Sequence, residues 1–143
     1  MSVTLTPNET IKIGVEIAKK LTGSDIILLS GNLGAGKTTL TKGILSYFGI
    51  DKNSVVSPTF TIMQSYTVAN INIKTIVHID TYRLESEEEL KNIGVEDYLG
   101  EAHTLCIIEW PEKISSLLKN KTTKTINLAT GENLEQRIID FNF

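Results

Sequence analysis

Eight consecutive residues, Gly31-Asn32-Leu33-Gly34-Ala35-Gly36-Lys37-Thr38, restrict the possible folds of this chain more than any other segment. They spell G-x-x-x-x-G-K-[ST] between an apolar strand pattern, Ile26-Ile27-Leu28-Leu29, and a helical pattern that begins near Lys37. Glycines let the backbone curl until successive N–H groups face one anion. Lys37 then reaches the outer phosphates of a nucleoside triphosphate, and the Thr38 hydroxyl is offered to Mg²⁺. The helix that follows adds its unpaired first-turn N–H groups and the positive end of its dipole. A strand that feeds a helix through such a loop calls for an α/β layout, with the ligand beyond the strand ends.

The remaining pattern agrees with one domain over residues 1–143, a P-loop NTPase sandwich with a mixed central sheet flanked by helices. Thr6-Pro7-Asn8-Glu9 reads as a capping box, with Glu9 reaching back to the Thr6 N–H, and opens a helix to about Leu21. Its predicted inner face is Ile11, Val15, Ala18 and Leu21, and Gly23 ends it. A second helix runs from Lys37 to Phe48, with Leu40, Ile44, Leu45 and Phe48 inward and Gly49 as its stop. Thr59 to Val68 largely alternates, placing Phe60, Ile62, Tyr66 and Val68 on one face. With a turn at 69–72 and a strand from Ile73 to Ile79, this predicts an antiparallel hairpin beside the phosphate-loop strand. Ser86 and Glu89 form a second capping box for a short helix that Gly94 ends. Thr104 to Trp110 is continuously apolar, as a strand covered on both faces should be. A short helix over 111–118 and strands over 124–130 and 137–143 complete the chain.

Hydrophobic content of 41%, charged content of 22% and a net charge of −3 describe an ordinary globular chain and argue against a dominant nucleic-acid-coating surface. The one cysteine, Cys106, lies in the apolar run Leu105-Cys106-Ile107-Ile108 and reads as a buried small hydrophobe. Neither a basic-then-apolar leader nor a membrane-length apolar run is present, so a cytoplasmic location without membrane partners is expected.

Hydrolysis requires more than a phosphate loop, because Mg²⁺ and the attacking water need carboxylates, usually at strand ends. Ile76-Val77-His78-Ile79-Asp80 and Leu105-Cys106-Ile107-Ile108-Glu109 both end apolar strands in an acid. One of Asp80 and Glu109 is expected near the metal, the other at the water, and the residues alone leave open which. Ser57-Pro58-Thr59-Phe60 carries two hydroxyls where nucleotide-sensing switches occur, although Ser-Pro is also ordinary turn chemistry. His78 reads as a core imidazole before a proton shuttle, and Trp110 either covers a nucleotide or fills a rim pocket. The run Glu85, Glu87, Glu88, Glu89 reads first as a solvated helix start. Asn120-Lys121-Thr122-Thr123 lacks the acid of the guanine-reading N-K-x-D signature, which favours ATP over GTP. With only Arg83 and Arg137 as arginines, a kinase acceptor site is harder to build than a slow ATPase that waits for a partner. A small-molecule kinase and a nucleotide-gated binding module without catalysis stand as alternatives.

Taken in order, Gly31-Asn32-Leu33-Gly34-Ala35-Gly36-Lys37-Thr38-Thr39, Ser57-Pro58-Thr59-Phe60, His78-Ile79-Asp80-Thr81-Tyr82-Arg83-Leu84 and Ile108-Glu109-Trp110-Pro111-Glu112 resemble the TsaE (YjeE) family. These are bacterial ATPases required for the threonylcarbamoyladenosine (t6A) modification of tRNA. The resemblance implies an ATPase that binds ATP and Mg²⁺ and resets the TsaD–TsaB pair between turnovers, meeting tRNA only through that complex. It further implies that Gly34, Ala35, Gly36, Lys37, Thr38 and Thr39 cradle the phosphates and that Thr38 and Glu109 hold Mg²⁺. Asp80 would be the hydrolytic acid, Thr59 a switch hydroxyl and Trp110 a neighbour of the nucleotide. Arg83 would organise the loop around Asp80. Asn8, Thr10 and Arg137 would frame the adenine. Glu109 stands where phosphate-loop ATPases more often carry aspartate, in agreement with this family's pattern.

Overall fold

The apolar run ending in Glu109 forms a strand in which all six residues, Thr104–Glu109, are buried, as its unbroken hydrophobicity requires. It is one of seven strands in the computed structural model, which describes residues 1–55 and 62–143. The expectations for Ser57, Pro58, Thr59 and Phe60 lie outside the described residues. In chain order the elements are β1 (Ser2–Thr4), α1 (Pro7–Ala18), β2 (Ile26–Ser30), α2 (Lys37–Tyr47), β3 (Met63–Thr67) and β4 (Thr75–Asp80). They continue as α3 (Glu87–Asn92), β5 (Thr104–Glu109), α4 (Ser115–Leu118), β6 (Lys124–Thr130) and β7 (Arg137–Asp140), with 3₁₀ turns at Val95–Asp97 and Pro111–Ile114. The strand order is β1-β7-β6-β2-β5-β4-β3, and the sheet is mixed. β5 therefore stands between the hairpin and the phosphate-loop strand, correcting the expected adjacency. β3 and β4 pair as the hairpin, and β4 also pairs in parallel with β5, the next strand in the chain, reached through α3. No helix among the described residues is long and apolar enough to cross a membrane.

The chain divides into two compact units. The first comprises Met1–Leu21, Leu29–Val56 and Thr125–Phe143. Here α1 starts as the sequence proposes, with Pro7 in its first turn and the Glu9 N–H on Thr6 Oγ1 at 3.3 Å. The Glu9 carboxylate, however, accepts from Leu5 N at 2.6 Å, one residue beyond the expected Thr6 N–H. The helix also stops at Ala18, and the N–H groups of Lys20 and Leu21 turn back onto Ile17 and Ala18. Its buried residues are Thr10, Gly14, Ile17 and Ala18, with Leu21 buried just beyond it. Ala18 and Leu21 thus meet the predicted stripe, while Ile11 and Val15 are only half-buried and the N-terminal part of the inner face is rotated onto Thr10, Gly14 and Ile17. The cause is a glycine contact with α2: a Cβ on Gly14 would lie 2.5 Å from the Leu40 carbonyl oxygen, and one on Gly43 would lie 2.2 Å from that of Ile11. The backbones meet where neither residue has a side chain, and Leu40, Ile44 and Leu45 are fully buried. β1, too short for its alternation to register in the sequence, pairs antiparallel with β7, which pairs antiparallel with β6.

The second unit comprises Thr22–Leu28 and Ser57–Lys124. The predicted hairpin forms from β3 and β4, closed by Asn70, whose Oδ1 accepts from the N–H groups of Asn72 and Ile73. Its core gathers Val77 and Ile79 from β4, Cys106 and Ile108 from β5, and Leu90 from α3. Ser86 makes no side-chain cap; Glu89 instead accepts from Glu85 N at 3.0 Å, the same one-residue displacement seen at α1. Gly94, at φ +84°, ends the region of α3 as expected. Glu87 takes both the N–H and the hydroxyl of Ser116, and these bonds hold its carboxyl below the ordinary range.

Candidate functional site

In the first unit, β2 ends at Ser30 and α2 starts at Lys37, so the motif forms the strand-to-helix loop its spacing predicts. Gly34 and Gly36 are left-handed, at φ +80° and +99°, a region that costs an ordinary L-residue about 1–2 kcal/mol. Gly31 is required by close approach, since a Cβ there would lie 2.4 Å from the Leu128 carbonyl oxygen of β6. Ala35 is buried and its N–H donates to Asn32 O at 3.0 Å. Lys37 is only 5% exposed, and its ammonium donates to the carbonyl oxygens of Gly31 at 2.6 Å and Asn32 at 2.9 Å. The loop thus folds back around its own cation. Thr38 and Thr39 are half-buried in the first turn of α2, and Thr41 bonds back to Lys37 O.

Of the three residues expected around an adenine, Arg137 reaches this loop. Its side chain lies 3.5 Å from where a Cβ on Gly36 would stand, while Nη1 donates to Leu134 O and Gln136 O. Asn8 is exposed on the first turn of α1. Thr10 is buried with its hydroxyl paired to that of Thr4 at 2.8 Å, bracing β1 against α1.

In the second unit, the parallel pairing of β4 with β5 sets Asp80 opposite Glu109. Two strands that were merely candidates in the sequence therefore end in step, and both acids are buried, at 7% and 2% exposure. Asp80 Oδ1 accepts from the Tyr82 N–H at 3.0 Å. Glu109 Oε2 lies 2.6 Å from Nε2 of His78, a fully buried ring two residues before Asp80 and so on the same face of β4. Thr81 wraps the end of β5: its N–H donates to Glu109 O, and its hydroxyl bonds to the carbonyls of Glu109 and Trp110. Trp110 adopts a left-handed conformation, φ 61° and ψ 52°, and its ring leans on Tyr82 with centroids 5.0 Å apart. Lys113 lies 5.5 Å over the Tyr82 ring and donates to the Tyr82 carbonyl. Arg83 is exposed.

The sequence singled out both carboxylates and Trp110 but missed the engagement of His78 with Glu109 and the Thr81 clamp. The only available signal was the place of His78 two residues before Asp80 and of Thr81 directly after it, on a strand whose partnership with β5 the sequence does not declare. Cys106 is buried as expected, and burial pushes its thiol up to about 12, which removes it as a nucleophile near neutral pH. His103 bonds through its ring to Asn72 O, a structural contact beside a turn.

No group of three or more His, Cys, Asp or Glu side chains among the described residues could hold a metal by itself.

A family model described as "Threonylcarbamoyl adenosine biosynthesis protein TsaE" matches residues 4–139. The tRNA threonylcarbamoyladenosine biosynthesis protein TsaE of Rickettsia conorii is 44% identical over 110 residues, covering 77% of this chain and 60% of that protein. The chain thus spans about three fifths of the length of that relative. The Bacillus subtilis protein of the same name is 35% identical over 138 residues, covering 96% of this chain and 82% of its own. Among solved structures, Bacillus subtilis YdiB superposes with a TM-score of 0.75 at 28% identity, over 98% of this chain and 82% of that one. The chain belongs to the TsaE family.

Proposed function

We propose that this protein is a cytoplasmic P-loop ATPase of tRNA threonylcarbamoyladenosine biosynthesis, which hydrolyses ATP to ADP and phosphate to reset a TsaD–TsaB complex. One observation carries the reading. The ionisable side chains other than the Cys106 thiol that are buried among the described residues are Lys37, His78, Asp80 and Glu109. All four fall in the phosphate loop or at the ends of β4 and β5. Burying charge is costly, and its confinement to these motifs supports assigning the chemistry to them.

In this reading the loop N–H groups of Gly34 to Thr39 surround the phosphates, and Lys37 turns from its two carbonyls toward the outer phosphate oxygens. Thr38 and Glu109 hold Mg²⁺, which when bound neutralises charge on the outer phosphates. Asp80, fixed by the Tyr82 N–H, orients the attacking water and takes its proton. Thr59 senses the outer phosphate, Trp110 flanks the nucleotide, and Arg137 frames the adenine. The chain offers no obvious arginine finger, so turnover alone is slow and the partners raise it.

The test is the ATPase rate with and without TsaD–TsaB, for the natural chain and for Lys37→Ala, Asp80→Asn and Glu109→Gln. The expected pattern is slow basal turnover, acceleration by partners, loss of nucleotide binding in Lys37→Ala, and retained binding without hydrolysis in Asp80→Asn. Equal rates with and without partners, or transfer of the terminal phosphate to a small-molecule acceptor, would overturn it.

A further inference from the structure

We infer that His78 is the positioning residue for Glu109: its buried ring fixes one carboxylate oxygen, so that Glu109 meets Mg²⁺ in one orientation. The inference rests on the proposed metal role of Glu109. Three observations support it. The pair is short, 2.6 Å between Nε2 and Oε2, and both side chains are almost fully enclosed, at 0% and 3% exposure. A long carboxylate arm in such a space gains direction from this short bond, because a glutamate has three side-chain torsions to restrain.

The register supplies the second observation. His78 pairs with Ile107 and Asp80 with Glu109, so the ring sits one step behind the acid on the same sheet face, and the Glu109 carboxylate leans back along β5 to reach it. The third is that His78 Nδ1 has no hydrogen-bond partner among the described residues. A histidine retained only to satisfy the core would be expected to use both nitrogens, since leaving a buried polar atom unpaired is costly. This ring is held by its single bond to the carboxylate. Groups that orient metal ligands in this way typically change metal affinity or activity by about 10–100-fold when removed.

The experiment measures, by calorimetry, the affinity of a non-hydrolysable ATP analogue in EDTA and across a Mg²⁺ series. The readout is the factor by which Mg²⁺ tightens binding. Glu109→Gln tests the underlying reading, and an unchanged Mg²⁺ factor there removes the metal role of Glu109 and the inference with it. If Glu109→Gln lowers the factor, His78→Leu should lower it about ten-fold while leaving affinity in EDTA intact. His78→Gln, whose amide can donate from nearly the same position as Nε2, should recover most of it. Should the leucine variant fail to fold, His78→Gln is compared with His78→Asn, whose shorter amide falls short of Glu109 and should keep the defect. An unchanged Mg²⁺ factor in His78→Leu or His78→Asn, or equal losses in EDTA and Mg²⁺ without recovery by glutamine, overturns the inference.

Discussion

Replacing Gly43 by Ala should destabilise the protein, although alanine is the better helix former. Glycine-to-alanine in a helix interior is worth about 0.8–1 kcal/mol in favour of alanine when nothing else changes. At Gly43 the new Cβ would lie 2.2 Å from the Ile11 carbonyl oxygen and 3.0 Å from Gly14 Cα, against a practical limit near 3.0 Å. Both obstacles are backbone, so no rotamer relieves them and α1 must move off α2 by close to an ångström. Such overpacking costs about 1–3 kcal/mol, and the absence of a flexible neighbour places this case at the upper end. The balance is a net loss of about 2 kcal/mol, or about 4–8 °C in Tm for a chain of this size. Urea denaturation followed by circular dichroism measures it. Gly14→Ala should lose stability in the same way, and the double variant should cost less than the sum, because both methyls open the same crossing. A Gly43→Ala protein as stable as the natural one would refute the argument that this glycine contact sets the buried face of α1.

Two further outcomes follow from the second unit. Because the folded Cys106 thiol is held near 12 against an ordinary value of 9.0, the folded state keeps its proton at pH values where the unfolded chain releases it. Its contribution is therefore complete below about pH 9 and falls as pH rises toward 12, with a limiting slope of about 1.4 kcal/mol per pH unit. Cys106→Ala should flatten that alkaline loss in denaturation curves, and native Cys106 should resist alkylation at pH 8 until denaturant is added. Thr81→Val keeps shape but removes the hydroxyl that bonds the Glu109 and Trp110 carbonyls. It should cost about 1–2 kcal/mol and shift the emission of Trp110, while Thr81→Ser should preserve both.

What could be read from the sequence was whatever depends on local chemistry. The phosphate loop, both helix starts, the Asn70 turn and the unbroken strand of β5 need only neighbours within a few residues, and each forms where expected. The misses depend on distant partners. The face of α1 is decided by Gly43, and the rotation was invisible because a glycine carries no hydrophobic signal. The insertion of β5 next to β4 is decided by sheet topology, and with it the meeting of His78 with Glu109. Even the two capping glutamates show the division. Their spacing announced a helix start, but the N–H that donates to each carboxylate was displaced by one residue.

The two units handle buried charge by different means, and the difference bears on function. In the first, Lys37 is satisfied by carbonyls of its own loop, an arrangement of backbone that exists only because Gly31, Gly34 and Gly36 permit it. Under the proposed function such bonds are replaceable, because an incoming phosphate would take the ammonium and leave the carbonyls to solvent or ligand. In the second, Glu109 is held by a side chain on a neighbouring buried strand, and Asp80 by the backbone N–H two residues on. Those bonds are part of a covered sheet, and breaking them would expose buried polar groups. Under the proposed function, a cation whose loop bonds can yield suits an incoming triphosphate, and carboxylates fixed on strands suit a metal ion and a water. The acids, by contrast, must already be oriented when the triphosphate arrives. The left-handed turn at Trp110, clamped by Thr81, belongs to the fixed strand ends, and under the proposed function its strain is held at the place where the nucleotide would be flanked.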